Sequence, residues 1–222
     1  MAGHRFCTFP DEYNPGLQAD WLVTMATAGT PTVTGLILAG GRGSRFGGQD
    51  KGLVDNGDHK MIDLVIKALL PQTSQLIISA NRNISDYQSR GYPVVCDSGE
   101  HFRGPLAGIL AGLEAASTEL VLVVPCDAPA INDDLLERLL EIQTQTSSKI
   151  SIAHDGQRLQ PLFMLIHREL RDGLASALNN GVRSVHEWVL AQEPAIVQFS
   201  DAAAFRNINS ADELEAFETS SG

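Results

Sequence analysis

Two rhythms of apolar residues alternate along this chain. Short unbroken runs at 33–39, 75–80, 93–96 and 120–125 read as strands, and the last (LVLVVP) is so continuously apolar that both its faces should be buried. Further strands are expected at 149–153, 161–166 and 195–199, the first two separated by the turn-like His154-Asp155-Gly156-Gln157. Between the runs, apolar residues recur at helical spacing. Ile62, Val65, Ile66 and Leu69 make one such stripe, predicting a helix over 61–70 that Pro71 ends. Helices are likewise expected over 106–116, 134–143, 169–178 and 184–190, with Asn132 or Asp133 capping the one that starts at 134. Asn179-Asn180-Gly181 closes the helix before it, and Ser210 with Glu213 forms a capping box for a final helix over 211–219.

Strand and helix in turn imply an α/β protein: a three-layer α/β/α Rossmann-like fold with a mostly parallel central sheet. Ligands of such sheets sit at the carboxyl ends of the strands. Residues 1–32 break the pattern, with Pro10, Pro15, Gly16, Gly29 and Pro31 among isolated aromatics. They are expected to be a poorly ordered N-terminal extension to one domain over 33–222, with Met25 a second candidate translation start. The 222 residues, 43% hydrophobic and 19% charged, suffice for one full core of ordinary soluble composition. No apolar run approaches the roughly 20 residues that span a bilayer, and no secretory signal pattern is visible. Three cysteines without CxxC spacing point to a reducing compartment, the cytoplasm by default.

Charge sharpens the picture. A net charge of −11 argues against a general nucleic-acid or acidic-membrane surface. Yet Arg42, Arg45 and Lys51 are gathered in GGRGSRFGGQDKGL, directly after the first strand. Glycines such as Gly40 and Gly41 let a loop present backbone N–H groups, and with the cations they suit a polyphosphate, above all a nucleoside triphosphate. The loop matches neither common phosphate motif. Phe46 stands where a Rossmann fingerprint has its third glycine, and Lys51 is followed by Gly52 rather than by the Ser or Thr of a P-loop. A ligand-free connection is the bland alternative.

Asp127, just past the 120–125 run in PCDAP, stands at the same sheet edge if the strands are parallel. A carboxylate there can hold Mg²⁺, whose remaining ligands come from phosphates and water; a simple turn aspartate is the alternative. Asp97 could accept hydrogen bonds from a base or sugar, and Gly104-Pro105 starts a helix whose first N–H groups lie near that edge. Asn207 and Asn209 could complete a metal site or meet a phosphate, with capping as the competing role. Other chemistries lack support: there is no HExxH, no GxSxG, and no His evidently placed to activate Cys126.

These motifs together resemble the molybdenum cofactor guanylyltransferases, the MobA family. The resemblance runs from about residue 34 to 217. It rests on LAGGRGSRFGGQDKGL, SANR, CDS, GPLAGI, PCDAP, HDGQRLQPLF and NINSADEL, in that order. It implies a Mg²⁺-dependent nucleotidyltransferase that moves GMP from GTP to the phosphate of molybdopterin and releases pyrophosphate. Leu38, Ala39, Gly40, Gly41, Lys51, Ser79, Asn81, Asp97 and Asp127 would bind the nucleotide. Lys51, Asp127, Arg42 and Arg45 would serve the transfer, and Asp127 the metal, with Asn207 or Asn209 as further ligands. The family often has Asn where this chain has Ser79, so that contact departs from the pattern. Arg158, Arg183 and His186 are candidates for anionic groups of the pterin substrate. Other cofactor-biosynthesis proteins and molybdoenzyme chaperones are implied partners. A cytidylyltransferase, a sugar-1-phosphate nucleotidyltransferase and a non-catalytic nucleotide binder remain as alternatives, although LAGG and GPLAGI resemble the guanylyl branch more.

Overall fold

The computed structural model describes residues 31–39, 50–56, 59–97, 104–208 and 213. The glycine loop with Gly40, Gly41, Arg42 and Arg45, as well as Asn209, lies outside the described residues. So do nearly all of the N-terminal extension and the final helix apart from Glu213. The described strands are β1 (Val33–Leu38), β2 (Asp55–Asn56), β3 (His59–Lys60), β4 (Gln75–Ser79), β5 (Val94–Val95), β6 (Leu120–Pro125), β7 (Ile150–His154), β8 (Leu159–His167) and β9 (Ala195–Gln198). The helices are α1 (Met61–Leu69), α2 (Ile84–Gln88), α3 (Pro105–Ala115), α4 (Leu135–Thr146), α5 (Arg171–Asn179) and α6 (Val185–Leu190).

Seven strands make one sheet in the order β5-β4-β1-β6-β8-β7-β9, and β2 with β3 forms a small separate hairpin. β5, β4, β1 and β6 run parallel, each joined to the next in sequence by a connection that includes a helix. From β1 the chain moves outward to β4 and β5, then returns across to β6 on the other side of β1. That reversal beside β1 opens a crevice at the carboxyl ends, where ligands of doubly wound sheets bind.

β8 runs antiparallel to both of its neighbours, β6 and β7. The cause is the tight connection from His154 to Leu159, which is far too short for the crossover that a parallel partner needs. Gly156 makes the turn at φ +88°, a conformation that disfavours a side chain.

Alternation along the strands distributes the core over two faces. Ile37, Leu122, Val124, Phe163 and Leu165 face α1, α2 and α4, while Leu36, Val121, Val123, Met164 and Ile166 face α3, α5 and α6. Strand β6 is buried on both sides, as its unbroken apolar run predicts. The stripe read in α1 is buried, with Ile62, Val65 and Leu69 fully so. α3 lies close on the sheet because it is glycine-bearing. A Cβ at Gly108 would stand 2.6 Å from Ser79 Oγ and 3.3 Å from Leu38 Cδ2.

The start of α4 corrects one expectation. Neither Asn132 nor Asp133 is its N-cap; Asp134 occupies that position without a side-chain cap bond. Instead, Gln72 reaches across from the end of α1. Its Oε1 accepts from Leu136 N at 3.0 Å and its Nε2 donates to Asn132 O at 3.0 Å. A distant amide thus satisfies a helix-terminal donor that local sequence left open.

Candidate active site

Backbone hydrogen bonds continue past the strand ends and lock the carboxyl edge into register. Ala39 N donates to Ser79 O at 2.8 Å, Ala80 N to Val95 O at 3.0 Å, and Cys126 N to Leu38 O at 3.1 Å. Leu38, Asp97 and Asp127 therefore belong to one edge, although widely separated in sequence. Lys51 arrives on a 3-10 turn, Lys51–Leu53. Its Nζ donates to Asp127 Oδ2 at 2.8 Å, with the two side chains 23% and 11% exposed. The cation of the glycine-rich stretch and the carboxylate after β6, expected at one sheet edge if the strands are parallel, are in direct contact.

Asn81 Oδ1 accepts from Asp97 N at 3.0 Å, so it holds the Asp97 backbone in place. Ser79 is buried, with its hydroxyl turned toward Gly108 of α3 and its carbonyl engaged by Ala39. Arg183 is used as a helix cap, its Nη1 donating to Leu178 O at 2.8 Å and Val182 O at 2.7 Å. His186 is exposed on α6, among the helices of the α3 face.

A cavity of about 730 Å³ adjoins Lys51. One wall is the β7–β8 turn with Asp155, Gln157 and Arg158; another is the segment 202–207 with Arg206 and Asn207. The turn is built by Asp155, whose Oδ1 accepts from Gln157 N at 2.8 Å and Arg158 N at 2.7 Å, and whose Oδ2 accepts from Gln160 Nε2 at 2.6 Å. The Arg158 amide, first among these donors, holds the Asp155 carboxyl below the usual carboxylate range. The opposite wall is fixed by aromatic packing. Phe205 meets Phe163 edge to face at 4.9 Å and Phe199 at 5.2 Å. Ile208 N then donates to Asp127 O at 2.7 Å, which ties this wall to the carboxylate that Lys51 contacts.

Arg158 and Asn207 were legible as candidates, whereas Gln157, Arg206 and the aromatic anchor Phe205 were not singled out. Asp50 was also missed. It is 6% exposed beside Lys51, and its partners Asn83 and Tyr87 lie 33 and 37 residues away. A carboxylate directly before the lysine was the only available signal. Beneath the lysine turn, burial and the neighbouring Asp127 charge push the Cys126 thiol well above its ordinary range, which disfavours the thiolate.

The donor set suits Mg²⁺. Asp127 offers hard carboxylate oxygens at the strand end. No cluster of three or more His, Cys, Asp or Glu able to hold a cation by itself occurs among the described residues.

A mostly parallel sheet with a lysine–carboxylate pair at its carboxyl edge defines an α/β protein whose polar site stands where ligands of such sheets bind. The chain belongs to the MobA-like NTP transferase domain family, whose model matches residues 35–195. It is 46% identical over 191 residues to a molybdenum cofactor guanylyltransferase of Cupriavidus pinatubonensis, covering 84% of this chain and 96% of that protein. It is 44% identical over 189 residues to one of Vibrio vulnificus, with 84% and 96% covered. Solved structures share the fold. Molybdopterin-guanine dinucleotide biosynthesis protein A from Archaeoglobus fulgidus matches with a TM-score of 0.66 at 22% identity, over 85% of this chain and 98% of that one. The 2-C-methyl-D-erythritol 4-phosphate cytidylyltransferase from Thermus thermophilus matches at 0.61 and 17% identity, over 83% and 98%.

Proposed function

We propose that this protein transfers GMP from GTP to the phosphate of molybdopterin, making the guanine dinucleotide form of the molybdenum cofactor. The carrying observation is the Lys51–Asp127 contact of 2.8 Å at the carboxyl edge, in a chain 46% identical to a guanylyltransferase of that cofactor. An oxygen of the molybdopterin phosphate attacks the α-phosphorus of GTP. The bond from that phosphorus to the bridging oxygen breaks, and pyrophosphate leaves with the electron pair. The attacking phosphate is already ionised at neutral pH, so no general base is required. The protein must instead hold two anions together and stabilise charge on the transferring and leaving phosphates.

Lys51 suits that task, with Arg42 and Arg45 as helpers from the glycine loop. The backbone of Leu38, Ala39, Gly40 and Gly41 would cradle the nucleotide. Asp97, steadied by Asn81, would meet its guanosine part above the buried Ser79. Bound Mg²⁺, held by Asp127 with Asn207 or Asn209 as further ligands, would neutralise phosphate charge. The cavity between Arg158 and Arg206 supports a place for the anionic second substrate. The reaction fits a cytoplasmic setting, where molybdoenzyme chaperones and other cofactor-biosynthesis proteins would be its partners.

The test is incubation of the purified protein with GTP, Mg²⁺ and molybdenum-loaded molybdopterin, with CTP, ATP and UTP in parallel. Guanylylated cofactor and stoichiometric pyrophosphate are expected from GTP alone. Equal or better turnover of CTP would overturn the base assignment, and no product from any nucleotide would overturn the reaction.

A further inference from the structure

Lys51 is delivered to the site by a turn whose other side is buried. Asp50, in extended conformation, begins that turn, and its carbonyl accepts from Leu53 N at 3.0 Å. Its carboxylate points inward to three side chains of one segment, two that donate hydrogen bonds and one that forms an ion pair. Tyr87 Oη donates at 2.6 Å and Asn83 Nδ2 at 3.2 Å, and Arg82 Nε lies at 3.4 Å. Gly52 closes the packing, since a Cβ there would stand 2.6 Å from the Tyr87 hydroxyl. Tyr87 is fully buried, and that burial raises its hydroxyl far above its ordinary value, so it stays a donor at any working pH.

Several features exceed what holding a turn requires. Burying a carboxylate is costly, and apolar packing would serve stability as well. Asn83 adopts a left-handed conformation, φ 50° and ψ 37°, which asparagine tolerates better than most other non-glycine residues. The same short segment also carries Asn81, whose Oδ1 holds Asp97 N at 3.0 Å. Residues 81–83 therefore grip Lys51's neighbour with one end and Asp97 with the other.

We propose that Asp50, clamped by Arg82, Asn83 and Tyr87, is a positioning residue that aims Lys51, and that residues 81–83 set the spacing between the phosphate end and the nucleoside end of the bound nucleotide. This rests on the reading of the site as a GTP site. The Asp50 carboxylate is thus engaged by two hydrogen bonds, from Tyr87 and Asn83, and by the ion pair with Arg82.

The experiment is a double-mutant cycle on Mg·GTP binding, read by titration calorimetry, with urea unfolding of every variant. In Asp50→Asn the amide presents a donor to Arg82 or Asn83, and binding should weaken about 10-fold, the scale of a lost charge-assisted hydrogen bond. In a Lys51→Met background the same change should weaken binding less than about 2-fold, because its effect passes through the ammonium. Tyr87→Phe, which removes one hydrogen bond and no charge, should give about 3-fold with the same dependence on Lys51, and it carries the test if Asp50→Asn does not fold. Equal weakening with and without the Lys51 ammonium would overturn the proposal, as would binding within about 2-fold of wild type in both variants. Wild-type protein that binds GTP yet transfers no GMP would sink the guanylyl-transfer reading and leave this cycle still decisive.

Discussion

Replacing Asp127 by Asn separates the structural from the chemical role of the site in one step. The change keeps the shape of the side chain, and the amide oxygen can still accept from Lys51 Nζ, now 2.8 Å away. The backbone contact that matters for the fold, Ile208 N to Asp127 O at 2.7 Å, is untouched. The pair is partly solvated, with side chains 23% and 11% exposed, so losing its charge should destabilise the protein by about 1 kcal/mol, or roughly 2–4 °C in Tm for a domain of this size. Transfer should suffer far more. Losing the Mg²⁺ that Asp127 would hold removes cationic charge beside the phosphates, and one unit of it about 4 Å away at an effective dielectric near 20 is worth about 4 kcal/mol, or roughly 10³-fold in rate. Pyrophosphate release from GTP with molybdopterin present measures the rate across a Mg²⁺ titration, and thermal unfolding measures the fold. Turnover within about fivefold of wild type would refute the metal role. A fall in Tm beyond about 10 °C would instead make the pair structural.

Two further outcomes test the frame around the site. Gly108→Ala should destabilise by about 1–3 kcal/mol in urea unfolding despite better helix propensity, because its Cβ meets Ser79 Oγ, and Ser79→Ala should relieve most of that loss. The Asp155 carboxyl is held below its ordinary range in the folded state, so the stability it contributes is present above about pH 4 and drains away as pH falls through its folded value. Urea unfolding between about pH 3 and 7 should therefore show Asp155→Asn less stable at neutral pH and converging with wild type in acid; a constant difference would contradict the assignment.

Elements whose signals are local are legible in the amino-acid sequence. The unbroken run at 120–125 and the stripe Ile62, Val65, Ile66, Leu69 became β6 and α1 almost residue for residue, since period and burial are written in adjacent positions. Short or polar elements were not legible. The β2–β3 hairpin has two residues in each strand, and α2 has five residues, too few for a periodic signal. The cap of α4 was misread because Gln72, which satisfies it, is 64 residues from Leu136, whose amide it accepts.

The site divides in the same way. Lys51, Asp97 and Asp127 could be named because each stands at the end of an apolar run or within a glycine-rich one, where a polar group has an evident reason to face a ligand. Asn81 was named too, but only its contact with the Asp97 amide shows that it supports another residue. Asp50 had no such marker, because Tyr87 and Asn83 approach it only once α2 has packed beneath the lysine turn.

Residue order was enough to determine the α/β alternation, the carboxyl edge as the place for chemistry, and the residue types available there, because backbone propensity and hydrophobic period act over neighbouring positions. Only folding in three dimensions decided that Lys51 touches Asp127, that β8 inserts between β6 and β7, and that the 202–207 segment walls a cavity beside them. Most of those contacts join positions far apart in the chain, and their geometry comes from packing two helical layers on one twisted sheet.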